Sequence, residues 1–91
     1  MSHTLKQKGK LLNRVKRLRG QVEAIERALE SEAGCSEVLQ LIAATRGAIS
    51  GLMNEVVADH IHEHVAAAEL SNAERENGAE ELVDVLRAYL K

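Results

Sequence analysis

The chain contains no proline, no phenylalanine and no tryptophan, and its only aromatic residue of the Phe/Trp/Tyr class is Tyr89. Without proline, nothing obliges a helix to kink or stop early. Without aromatics, the residues that favour strands and fill β-rich cores are scarce. The one cysteine, Cys35, excludes an intrachain disulfide and fits a reducing compartment. No apolar run approaches the roughly 20 residues that cross a bilayer. The N-terminus is polar and basic with no apolar stretch behind it, so no secretory signal is expected. These absences lead us to expect a cytoplasmic, all-helical protein with no membrane partner. With 91 residues, it is expected to form a single domain over 1–91. So short a helical chain covers its own apolar faces poorly, which favours self-association.

One further absence is local. Residues 1–22 contain no acid, yet they carry seven bases: Lys6, Lys8, Lys10, Arg14, Lys16, Arg17 and Arg19. The rest of the chain holds all fourteen acids and only five bases, so the net charge of −2 conceals a basic arm on an acidic body. The natural partner of an uncompensated basic helix is nucleic-acid phosphate. A nucleic acid is therefore expected to meet this arm, Lys10, Arg14, Arg17 and Arg19 among its bases.

The apolar pattern is helical throughout. Leu11, Val15, Leu18, Val22, Ile25 and Leu29 step by 4, 3, 4, 3, 4, and so do Val38, Ile42, Thr45, Ile49, Leu52 and Val56. Both are heptad seams. The first predicts a helix from near Leu5 to near Ser31. The second predicts one from about Ser36 to Ala67, with Leu41, Ala44, Ala48 and Met53 widening its stripe so that it faces more than one neighbour. Ser31 to Gly34 reads as the turn between them. Gly20, Gly47 and Gly51 suggest close helix–helix approach. Ser71 and Glu74 have the spacing of a capping box, Asn77-Gly78 reads as a break, and Leu82, Leu86 and Tyr89 predict a short third helix from about Ala79 to Leu90. The expected fold is all-α: a long antiparallel helical hairpin plus a short third helix.

The four histidines are His3, His60, His62 and His64. His60 and His64, four apart on a helix, share a face and have a common chelating spacing. With the soft thiolate of Cys35 and the imidazole of His3 they form a nitrogen-rich, single-sulfur set suited to a late first-row divalent metal. His62 points about 200° away from His60 on the helical wheel and falls outside that set. Glu63 lies closer in angle and is a candidate ligand or an orienter of an imidazole. Cys35 and His60 are 25 residues apart, or roughly 37 Å along one straight helix at about 1.5 Å per residue. One ion cannot bridge them within a chain. Second helices packed antiparallel across a two-fold axis would bring the Cys35 of one chain to the histidines of the other, giving two equivalent sites.

Several segments together resemble the CsoR/RcnR family of transcriptional repressors, which includes copper, nickel/cobalt and formaldehyde (FrmR-like) sensors. They are Asn-Arg-Val-Lys-Arg-Leu-Arg-Gly-Gln-Val over residues 13–22, Cys35, Ile-Ala-Ala-Thr-Arg-Gly-Ala over 42–48, Gly-Leu-Met over 51–53, His60, and the closing Ala-Tyr-Leu-Lys. The resemblance covers nearly the whole chain. It implies a helical dimer forming a four-helix bundle, two of which pair into a flat homotetramer that binds operator DNA without effector and leaves it on effector binding. It implies a shared site with Cys35 from one protomer and His60 and residue 64 from the other, and a DNA surface that includes Arg14, Arg17 and Arg46. An ion pair between Arg46 and an acid of another subunit is the alternative for that residue. His64 and the Ser2-His3 start resemble the nickel/cobalt (RcnR/DmeR-like) type; with Met1 removed, the freed amine of Ser2, a backbone amide and the imidazole of His3 would join Cys35, His60 and His64 in a six-ligand site for Ni(II) or Co(II). Zn(II), satisfied by four ligands, can bind in vitro without them. The alternative effector is formaldehyde, bridging the Cys35 thiolate and the N-terminal amine. No nucleophile–base–orienter set points to an enzyme.

Overall fold

The protein is described by a computed structural model covering residues 5–90. Ser2 and His3, both expected in the effector site, lie outside the described residues. The described chain consists of three helices: α1 (Leu5–Glu30), α2 (Cys35–His64) and α3 (Asn72–Tyr89). The first two helices are those the heptad seams predict, α2 closing at His64 rather than near Ala67.

The third helix is longer than its pattern suggests. It begins at Asn72, and Asn77-Gly78 is a continuous part of it rather than a break. Its start is set by the Ser71 capping box. The Glu74 amide donates to Ser71 Oγ at 3.1 Å and the Ser71 amide donates to Glu74 Oε1 at 2.9 Å. That backbone hydrogen bond, and secondly the Ser71 hydroxyl, hold the Glu74 carboxyl below its ordinary value.

Between α1 and α2 the chain turns through a Schellman motif. The Ala33 amide donates to the Ala28 carbonyl at 2.8 Å and the Glu32 amide to the Leu29 carbonyl at 3.2 Å. This needs a left-handed residue, and Glu32 takes it with φ of 57°. A side chain there costs about 1 kcal/mol relative to glycine. Glu32→Gly is therefore expected to raise stability by a few tenths to about 1 kcal/mol, the gain being reduced by the greater freedom of glycine in the unfolded chain. Urea denaturation checks this, and a loss of stability would contradict the account.

The residues divide into two compact units, one ending at Asn54 and the other beginning at Glu55. In the first, α1 and α2 run antiparallel: Arg14, Arg17 and Gln21 share a cavity with Ala48, while Ala24 and Ala28 lie with Leu41. Thr45 occupies an apolar seam position and is buried, its hydroxyl donating to the Leu41 carbonyl at 2.8 Å. Each heptad seam splits into two rows. Leu11, Leu18 and Ile25 on α1, and Val38, Thr45 and Leu52 on α2, are buried or half-buried. The alternate rows, Val15, Val22 and Leu29 on α1 and Ile42, Ile49 and Val56 on α2, remain between 38% and 61% exposed. Among the described residues the only buried hydrophobic is Ala28.

The expected reason for the helix glycines does not hold within the chain. A Cβ at Gly20 or Gly47 would meet nothing within 4 Å, and one at Gly51 would meet only the guanidinium end of Arg14, at 2.9 Å. Gly51 leaves room for an arginine rather than for a helix backbone.

Candidate metal centre and nucleic-acid interface

In the unit that begins at Glu55, the last turns of α2 carry His60, His62, Glu63 and His64. Helical spacing brings the first and last together: the His60 and His64 rings stand 4.9 Å apart, centre to centre, tilted by 41°. His62 is exposed, as is His64. His60 Nε2 lies 2.8 Å from the Gly78 carbonyl of α3. A carbonyl only accepts, so Nε2 carries the proton and Nδ1 of the neutral ring is left with its lone pair. Glu63 Oε2 is buried and has no hydrogen-bond partner. The two imidazoles, one with its free nitrogen defined, are nitrogen donors of the kind a borderline divalent ion takes, and further ligands would have to come from elsewhere. A bound ion would act there as a cross-link between ligands.

This end of α2 is held by α3. A Cβ on Gly78 would stand 2.0 Å from the His64 carbonyl oxygen and 2.8 Å from its carbon, so only glycine permits the approach. Arg75 donates through Nη1 to the Val65 carbonyl and through Nη2, at 3.3 Å, to the Leu70 carbonyl. It thereby satisfies carbonyls that the end of α2 and the following loop leave open. Neither residue stands out in the sequence. Gly78 is masked by its Asn-Gly context, and Arg75, flanked by Glu74 and Glu76, looks like an ordinary surface charge.

Cys35 is the first residue of α2, exposed and free of any disulfide. Among the described residues, no three His, Cys, Asp or Glu side chains of one chain gather into a group able to hold a metal.

The basic face of α1 belongs to the other unit. Its first turn contains no acid. Lys10, Arg17 and Arg19 are exposed, Arg14 is half-buried, and Arg46 is exposed on α2. Arg14, Arg17, Gln21 and Ala48 line a surface cavity of about 260 Å³. Guanidinium groups at such a cavity suit an oxyanion such as a phosphate. No helix among the described residues is long and apolar enough to cross a membrane.

Residues 7–88 match the family model described as metal-sensitive transcriptional repressor. Over 91 residues, all of both chains, the protein is 55% identical to an uncharacterized protein from the bioA 5′ region of Serratia marcescens. It is 42% identical, again over the full length of both, to the transcriptional repressor RcnR of Citrobacter koseri. A solved structure of the formaldehyde-responsive regulator FrmR from Salmonella enterica serovar Typhimurium, in a variant exchanging glutamate for histidine at position 64, is similar with a TM-score of 0.89. Identity there is 47%, covering 96% of this chain and 98% of that one. The chain belongs to the metal-sensitive transcriptional repressor family, the CsoR/RcnR/FrmR group that its motifs resemble, and is a regulator rather than an enzyme.

Proposed function

We propose that the protein is a cytoplasmic repressor that holds operator DNA in its effector-free form and releases it on binding Ni(II) or Co(II). The observation that carries this is the pairing of His60 with His64, 4.9 Å apart on the last turn of α2, with His60 Nδ1 left open by the Gly78 hydrogen bond. A second imidazole at residue 64 adds a nitrogen donor where a sulfur would favour Cu(I). Similarity to RcnR along the whole chain supports the same reading.

In this reading Cys35 of one subunit joins His60 and His64 of another, with the Ser2 amine and His3 adding the ligands that distinguish six-coordinate ions from Zn(II). Glu63 ligates or orients an imidazole. Cys35 and His64 stand at opposite ends of α2, which supports a shared site. The exposed rows Val15/Val22/Leu29 and Ile42/Ile49/Val56, each stepping by seven, supply surfaces for a homodimeric four-helix bundle and its pairing into a homotetramer. Lys10, Arg14, Arg17, Arg19 and Arg46 contact the DNA.

Operator binding followed by fluorescence anisotropy, titrated in parallel with Ni(II), Co(II), Zn(II) and formaldehyde, tests the proposal. Release by Ni(II) or Co(II) is expected. Arg17→Ala should weaken operator binding and lower the slope of log affinity against log salt by about 0.9 for each phosphate that the arginine neutralises. An unchanged slope would take Arg17 off the DNA surface. The second reading, a formaldehyde-responsive repressor using Cys35 and the N-terminal amine, draws support from the 47% identity to FrmR. It prevails if the protein stays on DNA at saturating Ni(II) and Co(II) yet leaves it at low formaldehyde, with a one-carbon bridge between Ser2 and Cys35 seen by mass spectrometry.

A further inference from the structure

The end of α2 that carries the candidate ligands is fixed by a different helix, and by residues that are not themselves donors to an effector. Three interactions converge there. The Gly78 carbonyl accepts a hydrogen bond from His60 Nε2 at 2.8 Å. The absent side chain of Gly78 lets α3 lie directly against the His64 carbonyl, where a Cβ would stand only 2.0 Å from the oxygen. The Arg75 guanidinium binds the carbonyls of Val65, the residue after His64, and of Leu70 in the loop leading to α3. Gly78 is buried and Arg75 half-buried, so these interactions are shielded and well placed to be strong.

We propose that Arg75 and Gly78 of α3 are positioning residues for the effector site: they fix the His60 ring with Nδ1 as its open nitrogen and set where His64 stands. The physical case is one of degrees of freedom. An imidazole at a helix end turns about two side-chain bonds and exchanges between two tautomers, and either freedom lowers the fraction of molecules ready to ligate. The Gly78 carbonyl removes the tautomer choice, because it can only accept. Arg75 prevents α3 and its carbonyl from drifting away from α2, since one planar guanidinium ties two carbonyls on consecutive parts of the chain. Partners that orient metal-bound histidines typically contribute about 10–100-fold in affinity. The inference rests on the reading that His60 and His64 contact the effector. It holds equally for a metal ion ligated at Nδ1 and for an aldehyde reaction in which Nδ1 accepts a proton.

Two readouts on full-length protein separate positioning from mere folding. The first needs no effector: imidazole ¹⁵N NMR at alkaline pH. Wild-type His60 should show a single tautomer, Nε2 protonated and Nδ1 bare, with a slowly exchanging Nε2 proton. Arg75→Ala should give averaged shifts and fast exchange with the helical content unchanged. The second is Co(II) affinity, read from thiolate-to-metal charge-transfer absorption. It should fall at least about tenfold in Arg75→Ala and recover in part in Arg75→Lys, which keeps one donor for one of the two carbonyls. Affinity of the effector-free protein for operator DNA should not change. If Arg75→Ala does not fold, Arg75→Lys carries the same comparison against wild type. A wild-type ring in the other tautomer, or an Arg75→Ala protein with wild-type ring signals and Co(II) affinity within about twofold, overturns the proposal. Wild-type protein that binds no Co(II) defeats the metal reading alone, and the NMR comparison still decides the role of Arg75.

Discussion

Protein carrying Gly78→Ala is expected to unfold at a temperature on the order of 10 °C or more below wild type. On an open helix surface, glycine to alanine stabilises by about 1 kcal/mol. Here the sign reverses. The new Cβ would stand 2.0 Å from the His64 carbonyl oxygen and 2.8 Å from its carbon, and neither atom belongs to a flexible side chain that can step aside. Either α3 lifts from the end of α2, breaking the His60 hydrogen bond of 2.8 Å, or both backbones distort. Overpacking of this kind costs about 1–3 kcal/mol, and the broken hydrogen bond adds about 1 kcal/mol. Gly20→Ala is the internal control, because a Cβ there meets nothing within 4 Å in the chain. It should be neutral or stabilising by up to about 1 kcal/mol. Thermal denaturation of the two variants at equal protein concentration checks both signs. Gly78→Ala with a wild-type midpoint would remove the close approach of α3 from the account.

Metal binding should vanish in Cys35→Ala and in His60→Ala taken singly, and return when the two proteins are unfolded together and refolded as a mixture. A mixed dimer built on a shared site has one position with both lesions and one with none, so half the wild-type capacity per mixed dimer is the expected result. With random pairing, mixed dimers are about half of the population, by the symmetry of an isologous pair. The mixture should therefore bind about a quarter as much Co(II) as wild type, with wild-type charge-transfer absorption at each occupied site. A mixture that forms heterodimers by native mass spectrometry and binds nothing would show that Cys35 and His60 do not serve one ion.

Most of the architecture is legible in the order of residues alone. The 4, 3, 4, 3, 4 steps from Leu11 and from Val38 locate α1 and α2, because an amphipathic seam has few other solutions in a chain without proline. The beginning of α3 is half legible. Ser71 and Glu74 announce a helix start, but Asn77-Gly78 outweighs them as a local break signal. That signal misleads because Gly78 answers to a tertiary need, the nearness of the His64 carbonyl, which no local pattern encodes. The pairing of His60 with His64 can be read from their spacing. The carbonyl that holds His60 cannot, since every residue offers one and only the crossing of α3 selects that of Gly78. The heptads likewise show which positions are apolar without showing that Leu11, Leu18 and Ile25 turn inward while Val15, Val22 and Leu29 stay uncovered.

Those uncovered rows bear on how much of the protein a cell must contain. Val15, Val22 and Leu29, with Ile42, Ile49 and Val56, keep 38–61% of their surface exposed in the isolated chain, and Ala28 is the only buried hydrophobic among the described residues. In the proposed homodimer such a chain would draw its stability from association, and association obeys mass action. Dilution would then act like a denaturant, and copy number would become a thermodynamic variable. A cell that let such a dimer fall below its association threshold would lose folded protein and operator occupancy together, without any effector being present.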